Sequence, residues 1–487
     1  MSKEKSKKKV RIFSKILCFI ALMVLCAFLY VVYKLNVLPN KYFYAASISL
    51  GVLWLIYLCI CINKKIKKGI LLIINILAII FIVGEVYVTH ELYQTYDFLN
   101  NGLHVKSTKD IYYVIVNKNS TYNNKSDIKN KTVYYYEDID EIQELKEIVV
   151  KRLKVTLKEV DNYHDLFDGL LDDNEKIILI NAGSYDALLE NDENYKDNLK
   201  KIDEIEFEKI LENINNEANI MKEPFIVYLS GIDTRSGEMP SRSLSDVNMF
   251  MVVNPETRKI LLVNIPRDYY VHLHGKSGLR DKLTHAGILG GVNLSKATIE
   301  DLLGYKADYY IRVNFNSVVK LVDAIGGITI NSDVNYSFRC WTDKTCVFKP
   351  GDNKVGGKCA LAFARERHAY KTGDRHRGEN QQQVIKLVVD KLTSSKNLIQ
   401  NYDKILKALE GTFESDLSTD NITSVVQFQL NDMKGWEFLN SNLSGTGGME
   451  PTYSYPNSSL SVMFPDQKTV EAAKSKIKEV LEEKDVD

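Results

Sequence analysis

The sequence lacks several features that would assign it to a common class of protein. Its 63 basic and 63 acidic residues cancel, so no net charge would attract the whole chain to nucleic acid. Seven cysteines occur, but no two of them are spaced as CxxC, which removes the support for a zinc or thioredoxin-like site. No helix-turn-helix or basic DNA-reading element is recognisable, and we expect no nucleic-acid partner.

Long apolar runs dominate the first 90 residues. They extend from Ile16 to Tyr33, from Tyr42 to Ile62, and from Gly69 to about Thr89. Each run is long enough to cross a hydrocarbon core about 30 Å thick. A cleaved signal peptide is the alternative for the first run, but its apolar core is too long, no A-x-A-like site follows, and two more runs come next. The sequence therefore predicts three transmembrane helices within residues 16–90.

The placement of lysines predicts the orientation of these helices. Residues 1–15 form a basic tail, and a second basic segment, residues 63–68, links the second and third runs. Both segments should be cytoplasmic by the positive-inside rule. Three spans with a cytoplasmic N-terminus leave everything after about residue 90 outside the cell membrane. We therefore expect a multi-pass membrane protein with a large extracellular region.

The first extracellular segment, about residues 104–222, has the pattern of a small α/β domain. Periodicity predicts strands at 110–117, 132–136 and 176–180, and helices at 141–157 and 207–220. We find no catalytic constellation here. An accessory or spacer role is the main interpretation, and a regulatory or ligand-binding role is the alternative.

The second extracellular segment, about residues 223–400, is also α/β. Its predicted strands are 224–232, 247–253, 260–265, 308–315 and 328–330, and a helix is predicted at 317–325. Charged residues gather where strands begin or end: Asp233, Asp246, Arg267 and Asp268. Ligands of open α/β sheets bind at such strand ends. A single aspartate after a strand is more often a turn or cap residue, so these positions need further support.

A cluster of four arginines supplies that support. Arg365, Arg367, Arg375 and Arg377 fall within thirteen residues, interrupted by a glycine-bearing turn. A solvated basic face is the alternative, but the flanking stretches 359–364 and 384–389 are apolar. A helix predicted to start near Arg375 places Arg377 and Gln381 on one face. Because helix N-termini and arginine side chains both bind phosphate, the pattern predicts a phosphate or pyrophosphate site.

Six short motifs occur in order along this part of the chain. They are Gly231-Ile232-Asp233, Ser245-Asp246-Val247-Asn248, Ile265-Pro266-Arg267-Asp268, Asp281-Lys282-Leu283-Thr284-His285-Ala286, Arg365-Glu366-Arg367, and Gly373-Asp374-Arg375-His376-Arg377-Gly378 with Asn380-Gln381-Gln382. Together they resemble the LytR-CpsA-Psr family of cell-envelope enzymes. Three spans followed by an accessory domain and then these motifs resemble the capsule-biosynthesis branch. The implied organisation is a tail (1–15), three spans (16–90), an accessory α/β domain (104–222), an α/β catalytic domain with a central sheet flanked by helices (223–400) and a C-terminal extension packed on it (401–487).

The resemblance implies a phosphotransferase. Its substrates would be an anionic glycopolymer, of teichoic acid or capsular polysaccharide type, on undecaprenyl pyrophosphate, and peptidoglycan. By resemblance, Asp233 and Asp246 hold Mg²⁺, whose preference for carboxylates and phosphate oxygens suits them. Arg267, Arg365, Arg367 and Arg377 would clamp the pyrophosphate, with Gln381 beside it. Further predicted site residues are Lys282, Asp268, Arg375 and, as a candidate general base, Asp374. A polyprenyl pyrophosphate hydrolase and a membrane-bound envelope regulator are the alternatives.

One position departs from the family pattern. The family has an arginine two residues before the second carboxylate, where this sequence has Leu244. Arg242, four residues before Asp246, could replace it after a shift of the loop. We therefore predict Arg242 as a further pyrophosphate-binding residue.

The remaining sequence gives weaker expectations. Cys340 and Cys346 could close a short loop by a disulfide outside the membrane, with two free thiols as the alternative, and Cys359 is expected in the core. After residue 400 we expect a helix, then surface loop at 445–448 and 451–456, and a terminal helix at 470–481.

Overall fold

The computed structural model describes residues 2–98, 107–136, 142–191, 193–210, 220–232, 239–371, 373–394, 405, 408, 413–456 and 458–484. These residues form two compact units. The first unit comprises residues 2–98, 220, 221 and 418–434, and the second comprises the others. Asp233 lies outside the described residues, as does the side chain of Asp374.

Three apolar helices make up most of the first unit: Ser2–Leu35 (α1), Asn40–Ile62 (α2) and Lys68–Asp97 (α3). Each is long and apolar enough to cross a membrane, which confirms the three predicted helices. Polar side chains inside the bundle pair between helices, as is common for helices that pack in lipid. Asn75 donates to Ser14 over 2.9 Å and accepts from the Tyr57 hydroxyl over 3.0 Å.

The accessory domain, residues 107–210, is built on a five-stranded sheet with strand order β3-β2-β4-β1-β5. Its strands are Ser107–Asn117 (β1), Thr132–Tyr135 (β2), Thr156–Glu159 (β3), Ile177–Asn181 (β4) and Leu199–Ile210 (β5). Its helices are Ile142–Leu153 (α4), Tyr163–Phe167 (α5), Ala182–Asn191 (α6) and Glu193–Lys196 (α7).

Two predicted helices of this domain are wrong in part. The helix predicted at 141–157 ends at Leu153, and residues 156–159 form β3, which pairs with β2. The start of the helix predicted at 207–220 belongs to β5, and residues 211–219 lie outside the described part of the chain. In β5, Ile205 and Phe207 are two residues apart and both buried, which is the spacing of a strand. Local spacing left helix and strand both open, and pairing with the long strand β1 decided for a strand.

The second domain is built on a six-stranded sheet with the order β16-β11-β6-β7-β8-β17. These strands are Phe225–Ile232 (β6), Ser245–Asn254 (β7), Lys259–Ile265 (β8), Tyr309–Asn314 (β11), Phe413–Ser415 (β16) and Glu437–Asn442 (β17). The shorter strands are Tyr270–Val271 (β9), Asp281–Lys282 (β10), Ile328–Ser332 (β12), Phe338–Arg339 (β13), Val347–Phe348 (β14), Gly351–Val355 (β15), Gly445–Pro451 (β18) and Ser459–Pro465 (β19). The helices are Leu283–Leu303 (α8), Phe315–Ala324 (α9), Gly357–Ala364 (α10), Asp374–Leu392 (α11), Thr419–Asp432 (α12, in the first unit) and Gln467–Glu482 (α13).

This sheet confirms the predicted α/β class and extends it past residue 400. Strands β6, β7, β8 and β11 lie where the sequence placed them, and α8 and α13 cover one core that includes Tyr228, Phe250 and Ile299. Strands β16 and β17 come from the region after residue 400 and complete the two edges of the sheet. The surface loop predicted at 445–448 is wrong, because these residues form β18 and pair with β19.

The disulfide joins Cys346 to Cys359, with Cα atoms 5.3 Å apart, and not Cys346 to Cys340. Cys340 is a buried free thiol. The expected bridge is wrong because α10 packs against the β13–β14 hairpin within one apolar cluster, which brings Cys359 to Cys346. Sequence spacing alone does not reveal that packing.

Candidate functional site

The candidate site lies at one edge of the six-stranded sheet. Strand β6 runs parallel to β11 and antiparallel to β7, and β8 is antiparallel to β7. The ends of β6 and β11 and the start of β7 meet there, since Ile232 pairs with both Asn314 and Ser245. Strand β8 ends next to them, with Ile265 opposite Asn248. This arrangement gathers the residues that border β7 and β8 at a shared edge of the sheet.

Three ion pairs connect the residues at this edge. The Arg267 guanidinium donates to the Asp246 carboxylate over 2.6 Å and lies 3.7 Å from a carboxylate oxygen of Asp268. The Lys282 ammonium is 2.7 Å from the other carboxylate oxygen of Asp268. Lys282 reaches this position because β10 pairs with β9, which follows Asp268 closely in the chain. All four side chains are mostly buried, so the charges act on one another with little solvent screening.

The surrounding cations hold Asp268 in its ionised form. Burial alone would raise the pKa of this carboxyl, but Lys282, Arg267 and Arg377 together bring the pKa below its ordinary value. The same effect shows that Arg377, from α11, lies within electrostatic reach of this carboxylate. Arg267, Lys282 and Arg377 outnumber the two carboxylates of this cluster, Asp246 and Asp268, so the edge retains positive charge for an anionic ligand.

Helix α11 is held tightly against the sheet beside this cluster. Gly378 permits the approach, because a Cβ at that position would clash with the Asn264 amide. Gln382 donates to the Leu262 carbonyl over 2.9 Å, which ties the helix to the neighbouring strand β8. These contacts fix the first turns of the helix, and with them Arg377 and the buried Gln381 one turn later.

Arg365 and Arg367 follow α10 and lie in different surroundings. Arg365 packs its guanidinium on the Phe315 ring, 4.5 Å from the centroid, just after the end of β11. Arg367 is exposed. The turn that carries them is attached to α11, because Asn380 donates to the Phe363 carbonyl over 3.1 Å.

A buried carboxylate, Glu366, shapes the turn between the two arginines. It accepts the backbone N–H groups of Arg367, His368 and Ala369, and also that of Trp341. Sequence reasoning assigned no role to Glu366. A carboxylate placed between two arginines was the available signal.

A second buried pair was also missed. Arg312, in the middle of β11, is 2 % exposed and donates to Glu414 of β16 over 2.9 Å. It also donates to the Ser243 hydroxyl over 2.8 Å and to the Pro240 carbonyl. An arginine within an otherwise apolar strand was the signal that could have revealed it.

The remaining predicted residues lie in other surroundings. Arg242 is 5 % exposed, and its guanidinium lies close enough to Tyr136 of the accessory domain to interact electrostatically with the Tyr136 hydroxyl. Arg375 is exposed and pairs with Glu379 over 3.6 Å. Within the described residues, no group of three or more His, Cys, Asp or Glu side chains is arranged to hold a metal ion. Asp246 is the described member of the predicted pair of carboxylates, and its ligand role stays a prediction.

Comparison with known proteins identifies relatives over the region that contains this edge. Residues 186–478 match the LytR_cpsA_psr family. The chain is 34% identical over 243 residues to "Polyisoprenyl-teichoic acid--peptidoglycan teichoic acid transferase TagU" of Enterococcus faecalis, covering 50% of this chain and 76% of the relative. It is 33% identical to the Bacillus subtilis protein of the same name, covering 42% of this chain and 63% of the relative. A third relative, 31% identical, is "Biofilm regulatory protein A" of Streptococcus mutans, with 42% and 52% covered.

Solved structures are also similar to this chain. The crystal structure of protein gbs0355 from Streptococcus agalactiae is 26% identical, with a TM-score of 0.47, covering 55% of this chain and 92% of that one. The crystal structure of B. subtilis TagU is 29% identical, with a TM-score of 0.40, covering 55% and 100%.

Proposed function

This chain belongs to the LytR-CpsA-Psr family, and on that premise we propose that it attaches a glycopolymer to peptidoglycan. The donor would be a polymer linked to a polyprenyl pyrophosphate, and the acceptor a sugar hydroxyl of peptidoglycan. The names of the TagU relatives describe such a transfer of teichoic acid from a polyisoprenyl carrier. The observation that carries the proposal is the convergence of Arg267, Lys282 and Arg377 around Asp268 at the sheet edge.

The reaction needs little covalent chemistry from the protein. The acceptor oxygen forms a new bond to the phosphorus that bears the polymer, and the bond from that phosphorus to the bridging pyrophosphate oxygen breaks. Polyprenyl phosphate leaves, and the acceptor proton passes to a base or to solvent. Negative charge accumulates on the leaving phosphate, and prearranged cations stabilise such charge in a buried site. We assign that role to Arg267 and Arg377, with Arg365 and Arg367 on the neighbouring turn.

Asp268 is suited to organising the cations and poorly suited to accepting a proton. Its lowered pKa and its contact with Lys282 make the carboxylate a weak base. We therefore keep Asp374 as the candidate base and assign Asp268 to holding Arg267 and Lys282 in place.

Mg²⁺ fits the donor chemistry of this edge. Magnesium in phosphate sites takes one or two carboxylates and completes its shell with phosphate oxygens and water. Asp246 is mostly buried at the edge, and one of its oxygens accepts from Arg267. Asp246 and Asp233 would hold the ion, which would neutralise charge on the pyrophosphate. Mg²⁺ binding by the purified protein, followed by isothermal calorimetry, should weaken in Asp246→Ala.

The contacts within the first unit favour an extracellular position for the C-terminal part of the chain. The Arg11 side chain lies 3.4 Å from the Asn63 carbonyl, so the two lysine-rich segments share one end of the bundle. These segments would be cytoplasmic by the positive-inside rule.

Helix α12 lies at the other end of the bundle. At the link between α1 and α2, the Gln427 amide donates to the Asn36 side chain over 2.9 Å, and Lys41 donates to the Asn431 carbonyl over 2.8 Å. Since α12 is on the side opposite the lysine-rich segments, it would be extracellular.

The experiment that tests the proposal uses the full chain in detergent. It is incubated with a polyprenyl-pyrophosphate saccharide, Mg²⁺ and peptidoglycan fragments, and the products are resolved by mass spectrometry. A product with the saccharide phosphate joined to the fragment supports the proposal if Arg267→Ala slows its formation by about 10²–10³-fold. A saccharide phosphate that forms equally well without fragments would instead identify a hydrolase. No joined product under any of these conditions would overturn the proposal.

A further inference from the structure

The segment that leads into Asp246 is held on both sides. Residues 240–243 lie between the accessory domain, helix α8 and strand β11, and β7 begins at Ser245. The Ser241 backbone N–H donates to the Asp110 carboxylate over 3.1 Å, and the Ser241 hydroxyl donates to its other oxygen over 2.5 Å. Asp110 belongs to β1, which pairs with β4 and β5 in the accessory sheet. Ser241 therefore makes two hydrogen bonds to one residue of the accessory domain.

Asp110 is a buried carboxylate whose hydrogen bonds come from Ser241. The residue is 4 % exposed, and burying a carboxylate is costly unless its oxygens accept hydrogen bonds. Ser241 supplies one donor to each oxygen. Since the partner lies 131 residues away, local chain geometry does not account for the pairing.

The rest of the segment is fixed from the other side. The Ser243 backbone N–H donates to the Gly287 carbonyl of α8 over 3.2 Å. The Ser243 hydroxyl accepts from Arg312 of β11 over 2.8 Å. Ser243 is therefore held by two elements of the second domain.

Close packing restricts the backbone of the segment as well. Three glycines, Gly183, Gly287 and Gly291, allow its carbonyls to approach. A Cβ at Gly183 would lie 2.9 Å from the Arg242 carbonyl oxygen, and one at Gly291 would lie 2.8 Å from that of Ser241. A Cβ at Gly287 would clash with the Ser243 carbonyl oxygen. The segment therefore has little freedom to shift.

Only a few residues separate this restrained segment from the site. Ser243 is three residues before Asp246, whose carboxylate accepts from Arg267 over 2.6 Å. Loss of the Asp110 contact would remove the restraint on the Ser241 end of this short chain, while the contacts of Ser243 remain. The accessory domain contributes Asp110 and one glycine to the restraint, whereas α8 and β11 contribute the other contacts.

We propose that the accessory domain positions the site carboxylate Asp246 through the contact between Asp110 and Ser241. Asp110 is a positioning residue, because it acts on the site through the 241–246 segment. Its catalytic consequence rests on the proposed function, in which Asp246 is a site residue. The accessory domain is then a required part of the active protein and not a spacer.

The test compares Asp110→Ala, Ser241→Ala and the double variant in the full chain, with Arg152→Ala as the matched control. Arg152 lies on α4 of the same domain and pairs with Asp203, so its loss removes a contact of that domain without touching the segment. We expect each single variant to lower kcat about tenfold or more with little change in the KM for the donor, since a misplacement of about 1 Å caused by a remote change can lower the rate by about 10²-fold. Ser241→Ala keeps the backbone hydrogen bond to Asp110, so the double variant should be no worse than Asp110→Ala. Asp110→Glu should recover part of the activity. Arg152→Ala should stay within about twofold of wild type.

Amide hydrogen exchange gives a readout that does not depend on turnover. In Asp110→Ala and Ser241→Ala, exchange at residues 241–247 should accelerate while the central strands β1 and β4 keep their protection. Unchanged exchange at 241–247, or unchanged kcat in both variants, would overturn the inference. If the wild-type chain shows no transfer at all, the proposed function fails, and the exchange data still decide whether the accessory domain holds this segment.

Discussion

The accessory domain and the second domain are both α/β, but they place their charges differently. In the accessory domain, ion pairs such as Lys131–Glu175 lie at the surface, with 48% and 63% of the side chains exposed. In the second domain, the pair Lys282–Asp268 is 13% and 27% exposed, and Arg312–Glu414 is 2% and 5% exposed.

Desolvation explains why this difference is informative. Surface pairs contribute little, so their number says little about function. Removing charges from water is costly, so buried ion pairs persist where geometry or chemistry requires them. The edge of the second sheet gathers cations around one carboxylate, and the accessory sheet has no comparable cluster among its described ion pairs. Variants that remove one pair from each domain test how far this contrast extends.

The largest effect should come from breaking the fully buried pair. Arg312→Ala would leave Glu414 buried without its cation, and we expect a loss of about 3–5 kcal/mol in the free energy of unfolding. Breaking the exposed Lys131–Glu175 pair by Lys131→Ala should change Tm very little. Thermal unfolding of both variants measures this. Equal losses of Tm would show that burial does not separate the two domains.

The double variant Arg312→Met with Glu414→Leu serves as the control for the buried pair. Replacing both charges by apolar side chains should recover part of the stability, because no unpaired charge remains. Recovery should stay incomplete, since the contacts of Arg312 with Ser243 and Pro240 are also lost.

Arg267→Ala should cost activity more than stability. Loss of one prearranged donor typically lowers kcat by about 10²–10³-fold. Arg152→Ala, which removes an arginine–aspartate pair from the accessory domain, should leave kcat within about twofold of wild type. Steady-state transfer assays measure both. If Arg267→Ala keeps near wild-type kcat while its Tm falls, the pair Arg267–Asp246 is structural.

Loss of the disulfide should affect one domain alone. Cys346 and Cys359 join the β13–β14 hairpin to α10, and the accessory domain contains no cysteine. We expect Cys359→Ser to lower the free energy of unfolding by about 2–4 kcal/mol, as for a loop of this length. Hydrogen exchange should accelerate around Arg365 and Glu366, with the accessory strands unchanged. Equal acceleration in both domains would contradict this localisation.

The smallest effect should appear in the pH dependence of stability. The pKa of Asp268 is lower in the folded chain than its ordinary value of about 3.9, so its contribution to stability is fully present above that value. The contribution is lost as the pH falls through the lower folded pKa. Asp268→Asn should therefore have a lower Tm than wild type at pH 7, and the difference in Tm should shrink on acidification.

Salt separates the two domains in the same experiment. The pKa of Glu175 is also lowered, by hydrogen bonds from Tyr122 and Lys131, but this carboxylate is exposed. High salt should weaken the exposed Glu175–Lys131 pair strongly and the pairs of Asp268 much less, because buried pairs are screened less. A similar salt dependence in Glu175→Gln and Asp268→Asn would contradict the contrast.

The site shows where prediction from sequence reached its limit. Asp246, Arg267 and Asp268 border strands with strong apolar patterns, so local periodicity could place them at strand ends. Glu366 and Arg312 could not be assigned a role in this way. Their effect depends on which backbone groups and carboxylates surround them, and those partners come from distant parts of the chain.

The sequence by itself determined the three apolar helices, the α/β class and the positions of the main strands along the chain. These features follow from local periodicity and from runs of residues that must avoid water. The tertiary structure alone decided that β5 is a strand, that β16 and β17 complete the second sheet, that Cys359 is the partner of Cys346, and that Asp110 grips Ser241. Each of these depends on two segments far apart in sequence, and no single stretch of residues encodes the position of its partner.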